Sequence, residues 1–207
     1  MKKVLTVLLA ATGILAFSAC GGNNPKEPIL QPSADTTQIE AKSQAAPATQ
    51  DPPTAQATDE VSIPANGVTL TLPKGFQVYK STIPSENDNA TMVVNPDETV
   101  VFCVVKDKKS RCERHGITSL DGYLQFQYEN SQYENSKFDI ISSIQAEQGV
   151  PYFEYDYTND DYQTFRYFTT AKESGTAFYT LQCFAPVDAY DGYRDKIINW
   201  MRNAKVK

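Results

Sequence analysis

The chain has 207 residues, with 19 Lys and Arg against 25 Asp and Glu for a formal charge of −6, one histidine, four cysteines and 41% hydrophobic content. Such an acidic chain lacks the positive field that general nucleic-acid binding needs, and a single histidine leaves little material for histidine relays or clustered metal ligands. What stays open is recognition, docking, or chemistry that runs on carboxylates.

At the start, Lys2 and Lys3 precede the uncharged run VLTVLLAATGILAFSA, which reaches Cys20 behind the small pair Ser18 and Ala19. A basic segment, a short apolar segment and small residues at a cut site form the order of a secretory signal, and the run is short for a membrane span. The stretch FSAC, with Phe17 where Leu is usual, resembles the bacterial lipobox. That resemblance implies removal of residues 1–19 and acylation of Cys20, which becomes the mature N-terminus. Each buried methylene adds roughly 0.8 kcal/mol of membrane affinity, so two or more acyl chains anchor stably. Gly21 stands where lipoproteins held in the inner membrane of enteric bacteria carry Asp, which implies a cell-envelope protein, lipid-anchored at the outer membrane and facing the periplasm.

Residues 20–60 read as the acylated cysteine and a linker. From Gly21 the composition is Pro, Gln, Thr, Ser and Ala without an aromatic residue, too little apolar surface to offset the entropy of ordering. As a flexible coil it extends about 35 Å r.m.s.. Residues 61–207 carry the aromatic residues and read as one folded domain.

Within that body, GVTLTLP alternates Val68, Leu70 and Leu72 with Thr, a strand ending at Pro73. TMVVN and TVVFCVVKD flank Pro96–Glu98 and predict a hairpin, the second strand apolar on both parities and hence covered on both faces. In ITSLDGYLQFQYE the period changes: Leu120, Leu124 and Tyr128 predict a helix over 119–131, with Thr118 and Asp121 at capping-box spacing. The doubled pentapeptide QYENSQYENS (127–136) reads as helix end and loop. Strands near 138–147, 151–157, 162–171 and 177–185 form an antiparallel meander, with Ala177, Tyr179, Leu181, Cys183 and Ala185 on its core side. Asp188 caps a closing helix whose stripe is Tyr193, Ile197, Trp200, Met201 and Ala204. The fold class is therefore α+β, a twisted antiparallel sheet flanked by helices.

The order of these pieces, with Pro73, Gly75 and Phe76 in LTLPKGF, Gly149 in GVPYFEY and the closing YRDKIINWMRNAKV, resembles the PsbP-like superfamily. The resemblance implies an α-β-α sandwich over most of 61–207. It also implies a docking or assembly role, since the superfamily has no invariant catalytic set and its members act mainly through partners. They include extrinsic photosystem II proteins, a Ran-binding import factor and many bacterial lipoproteins.

Candidate chemistry is sparse. Cys112 and His115 have C-x-x-H spacing, with Cys103 and Cys183 as further thiols, yet no second ligand pair follows and an oxidising envelope favours disulfides. Three single bridges are open to the three body cysteines. A thiol at Cys112 in a polar loop calls for a partner; Cys103 lies nine residues earlier and a strand turning back through KDKKSR brings the two near, which favours Cys103–Cys112 over a bridge to Cys183, with no bridge as the third reading. Lys106, Lys108, Lys109, Arg111 and Arg114 form a basic segment readable as an anion patch or as a solvated loop. Asp156, Asn159, Asp160 and Asp161 lack EF-hand spacing and read as turn residues. No nucleophile motif, zinc-protease motif or phosphate loop is present. No catalytic residue, metal or cofactor is expected. The leading expectation is a non-enzymatic lipoprotein that docks on another envelope protein or complex, tethered through Cys20. A small-ligand or glycan-binding module with a Tyr-lined pocket is the alternative, and a hydrolase with a carboxylate pair the third.

Overall fold

The computed structural model describes residues 59–79, 89–133 and 138–207. Cys20, the signal segment, the linker up to residue 58 and the end of the doubled pentapeptide lie outside the described residues.

Among the described residues there are ten strands and four helices: β1 (Glu60–Ala65), β2 (Val68–Pro73), β3 (Gln77–Val78), β4 (Ala90–Val94), β5 (Val101–Lys108), α1 (Lys109–Glu113), α2 (Leu120–Tyr133), β6 (Phe138–Glu147), β7 (Val150–Thr158), β8 (Thr164–Glu173), β9 (Ala177–Pro186), α3 (Val187–Tyr190), α4 (Arg194–Asn203) and β10 (Lys205–Val206). They form two sheets, of three strands in order β1-β2-β10 and of seven in order β3-β4-β5-β9-β8-β7-β6. Every pairing is antiparallel. The class is α+β, as the sequence implies.

The seven-stranded sheet divides the core. On one face Phe102, Val104, Phe168, Tyr179, Leu181 and Cys183 meet β1, β2 and α4 through Ile63, Val68, Leu70, Leu72, Ile197 and Trp200. On the other, Val101, Cys103, Val105, Tyr155, Tyr167, Phe178 and Phe184 meet α1 and α2 through Cys112, Tyr123 and Leu124. β5 is thus covered on both faces, as its run of apolar residues on both parities requires. β9 is covered on both as well: besides Ala177 to Ala185 on alternate positions, Phe178, Thr180, Gln182 and Phe184 are buried. Expecting a single core side for β9 missed the layer that α2 lays over the second face.

Local chemistry explains the other departures. β1 and β2 are joined by Asn66 and Gly67 at φ 50 and 91, between the paired residues Ala65 and Val68. This two-residue loop with positive φ at both positions suits the twist of the flanking strands. α2 is capped by Ser119, whose Oγ accepts the Gly122 N–H at 3.1 Å, one residue after the expected Thr118. The closing helix is two pieces: α3 follows Pro186 without a side-chain cap, the chain turns at Asp191–Tyr193, and α4 carries the stripe. After Ala204 the backbone turns extended and β10 joins the edge of β2, pairing Val206 with Val68.

The cysteine premise also changes. Cys112 does not lie in an exposed loop; the single turn of α1 tucks it into the core at 0% exposure. Cys103, Cys112 and Cys183 are all free and buried, so the Cys103–Cys112 bridge is not formed in this structure. Cys183 packs on the opposite face of the sheet from Cys103 and Cys112, which excludes it as a partner for either.

Candidate aromatic cleft

The turn Pro73–Phe76 at the end of β2, the turn Asn95–Asp97 between β4 and β5, and the outer side of α4 converge on an open cleft of about 600 Å³. Its apolar surface comes from Phe76, Tyr193 and Trp200 with Pro73 and Pro96. Glu60, Lys74, Asp97 and Lys196 are exposed around it, and Asn95 and Asn199 complete it. A volume of this order is that of a small-ligand site.

Each wall is held by identifiable contacts. Trp200, Phe76 and Phe102 form a mutual edge-to-face cluster with centroids 5.7–6.0 Å apart, the arrangement that ring quadrupoles favour. Trp200 is only 6% exposed, so the cleft reaches the hydrophobic core itself. Asn95 builds its turn: its N–H donates to Val100 O at 3.1 Å, its Oδ1 accepts the Val100 N–H at 2.9 Å, and its Nδ2 donates to Thr99 Oγ1 at 3.0 Å. Gly75, at φ 105, lies where a Cβ would stand 2.8 Å from Pro96 Cγ. Only glycine allows the two turns to meet so closely at that φ. On α4 the ammonium of Lys196 sits 5.2 Å from the centroid of the Tyr193 ring.

A second constellation seats α3 and α4 on the sheet. Glu154, buried on β7, accepts the Tyr190 hydroxyl at 2.6 Å and Arg194 Nε at 3.2 Å. Arg194 Nη2 also donates to Glu147 Oε2 at 3.0 Å and to the Tyr152 hydroxyl at 2.5 Å. Burial raises the Tyr190 pKa, and its hydrogen bond to Glu154 raises it further. Glu147 and Glu154 are therefore a carboxylate pair bridged by one guanidinium, and what this arrangement does is fasten the start of α4.

The residues singled out by sequence scatter. Lys106 stacks toward Tyr179 on the first face, while Lys109 pairs with Glu173 at 2.6 Å and lies over Phe178 on the second. Lys108 and Arg114 are exposed and Arg111 half-buried. The structure thus divides the basic segment between the two faces of the sheet. Cys112 is buried whereas His115 is exposed, and among the described residues no group of three or more His, Cys, Asp and Glu is placed to hold a metal ion. Asp156 is engaged by Arg166 through two bonds of 2.8 and 2.9 Å, and Asn159 organises the β7–β8 turn with Gln163. The tyrosines of the meander do not form a groove: Tyr152, Tyr155, Tyr157 and Tyr167 are buried among stacked rings. The aromatic cleft was missed in the sequence because its walls come from four separated segments. Its one local signal was Gly75 and Phe76 directly after a strand-ending proline.

No protein-family model matches the chain, and no curated protein matches it. Solved structures similar to it include the Ran-binding protein Mog1p of Saccharomyces cerevisiae, at 12% identity and a TM-score of 0.48, covering 72% of this chain and 96% of that one. LpqN, involved in cell envelope biogenesis of Mycobacterium tuberculosis, is similar at 14% identity and a TM-score of 0.45, covering 73% and 92%. Cyanobacterial PsbP from Synechocystis is similar at 10% identity and a TM-score of 0.42, covering 77% and 98%.

Proposed function

We propose that this protein is a non-enzymatic envelope lipoprotein, tethered by acyl chains on Cys20, whose body docks on another component of the envelope through the cleft around Trp200. The observation that supports this reading is the cleft itself: an aromatic floor reaching the core, ringed by exposed charged side chains, with no histidine, cysteine or serine on its lining. Such a surface suits binding, and it offers none of the serine, cysteine or histidine side chains of a nucleophile relay. Glu60 and Asp97 both line it, but both are exposed, without the burial that fits a carboxyl for general-acid work. The other close pair, Glu147 and Glu154, is occupied by Arg194. These two facts weigh against the hydrolase reading. Among the described residues no helix is long and apolar enough to cross a membrane, so the proposed attachment rests on Cys20.

The test is a photo-crosslinking amino acid at Lys196 in the native host, with a control at Glu129 on α2. Capture of one identified envelope component from position 196 and not from 129 is the expected result. Equal labelling from both positions, or none from 196, would overturn the assignment of the cleft.

A further inference from the structure

Resting on that reading, we infer that the component which enters the cleft is a neutral saccharide chain. Three features carry the inference. The floor is aromatic, built from Trp200, Phe76 and Tyr193. Ring faces carry partial negative charge and attract the polarised C–H groups that one side of a sugar ring presents. The rim is charge-balanced, with Lys74 and Lys196 against Glu60 and Asp97.

That balance decides the ligand class. Two ammonium groups without acids would select a phosphate or carboxylate, and two acids alone would select a cation. Together they cancel as a field while remaining donors and acceptors. A hydroxyl both donates and accepts, so a polyhydroxylated neutral ligand satisfies both halves of the rim at once. The cleft is also open, which suits a segment of a continuing polymer better than an enclosed metabolite.

The sole tryptophan of the chain lies in this cleft, so its fluorescence reports occupancy without a label. Purified full-length protein titrated with chitohexaose, cellohexaose and maltohexaose is expected to show, for at least one of them, a saturable change in Trp200 emission and an affinity that salt leaves unchanged. Because Trp200 and Tyr193 also pack on the core, the variant is the double Lys74→Ala/Lys196→Ala. It is expected to weaken binding tenfold or more with the thermal midpoint of the free protein within about 2 °C of the parent. Silence with all three neutral probes, or binding confined to an anionic control such as polygalacturonate with steep salt dependence, would overturn the inference. If the saccharides are silent while the crosslinker at position 196 still captures an identified envelope protein, the docking reading stands and the saccharide falls. If both fail, both fall.

Discussion

Asp107 shows how a single residue can carry a measurable signature of this fold. It lies on β5 facing α2, buried, and its Oδ2 accepts the Tyr123 hydroxyl at 2.5 Å, while Tyr123 also bonds Thr180 Oγ1 at 2.8 Å. Burial raises the Asp107 pKa above its ordinary value; the Tyr123 hydrogen bond and the Arg111 charge oppose this without cancelling it. The folded state therefore holds the proton more tightly than the unfolded chain. The corresponding stability is fully present below the ordinary carboxylate range and is lost as pH rises through the raised value. Asp107→Asn cannot titrate. The stability of the parent relative to that variant should consequently increase as pH falls from about 7 to about 4, measured as the difference in urea midpoints along a pH series. A difference that stays level or shrinks toward acid would refute this account. The same segment shows where sequence reading fails at the scale of one side chain. In KKSRCER every neighbour of Cys112 is polar, so composition points to a solvated loop, yet one helical turn is enough to bury the cysteine while leaving Ser110, Glu113 and Arg114 exposed.

Among elements, legibility followed pattern length. β2, β5 and the strands of the meander announce themselves by alternation or by sustained apolar runs, and α2 by its period. β10 has two residues and no pattern; it exists because Ala204 turns the chain toward the open edge of β2. β1 was readable, since Asn66-Gly67 between apolar runs is a strong hairpin signal, but Pro64 within the strand disguised it. The end of α4 depends on a residue far away in sequence. Lys172 of β8 donates through Nζ to Ala204 O at 2.5 Å and Arg202 O at 3.2 Å, supplying a cation to carbonyls that the helix leaves unpaired. Desolvation lowers its pKa, so this seat is built at a cost in hydration. Lys172→Met should destabilise the protein by about 1 to 2 kcal/mol, the scale of hydrogen bonds to a charged group offset by that cost. Amide exchange should accelerate at Lys205 and Val206 more than at β5 and β9, whereas Lys205→Met should do neither. Uniform acceleration across all strands would mean that Lys172 supports the whole sheet instead of the helix end.

For the whole molecule, the seven-stranded sheet acts as a partition, and the fate of the cysteines follows from it. Reading β5 as doubly covered was possible because its apolar residues occupy both parities; reading the same of β9 was not, because Thr180 and Gln182 are polar residues buried beneath a helix more than 45 positions earlier in the chain. The sheet, once built, puts Cys183 with the α4 layer and Cys103 and Cys112 with the α2 layer. Burial pushes Cys103 up to about 12 and Cys112 to about 11, and raises Cys183 as well. The thiolate is the reactive form, so all three should be inert to an aromatic disulfide reagent in the native body and reactive once it unfolds. Protein purified without reductant and then unfolded in guanidinium should titrate three thiols from Cys103, Cys112 and Cys183. A count of one would show that one bridge had closed. Peptide mapping that linked Cys183 to either would be more damaging, because no bridge can pass through a continuous hydrogen-bonded sheet, and the layered core would then have to be wrong.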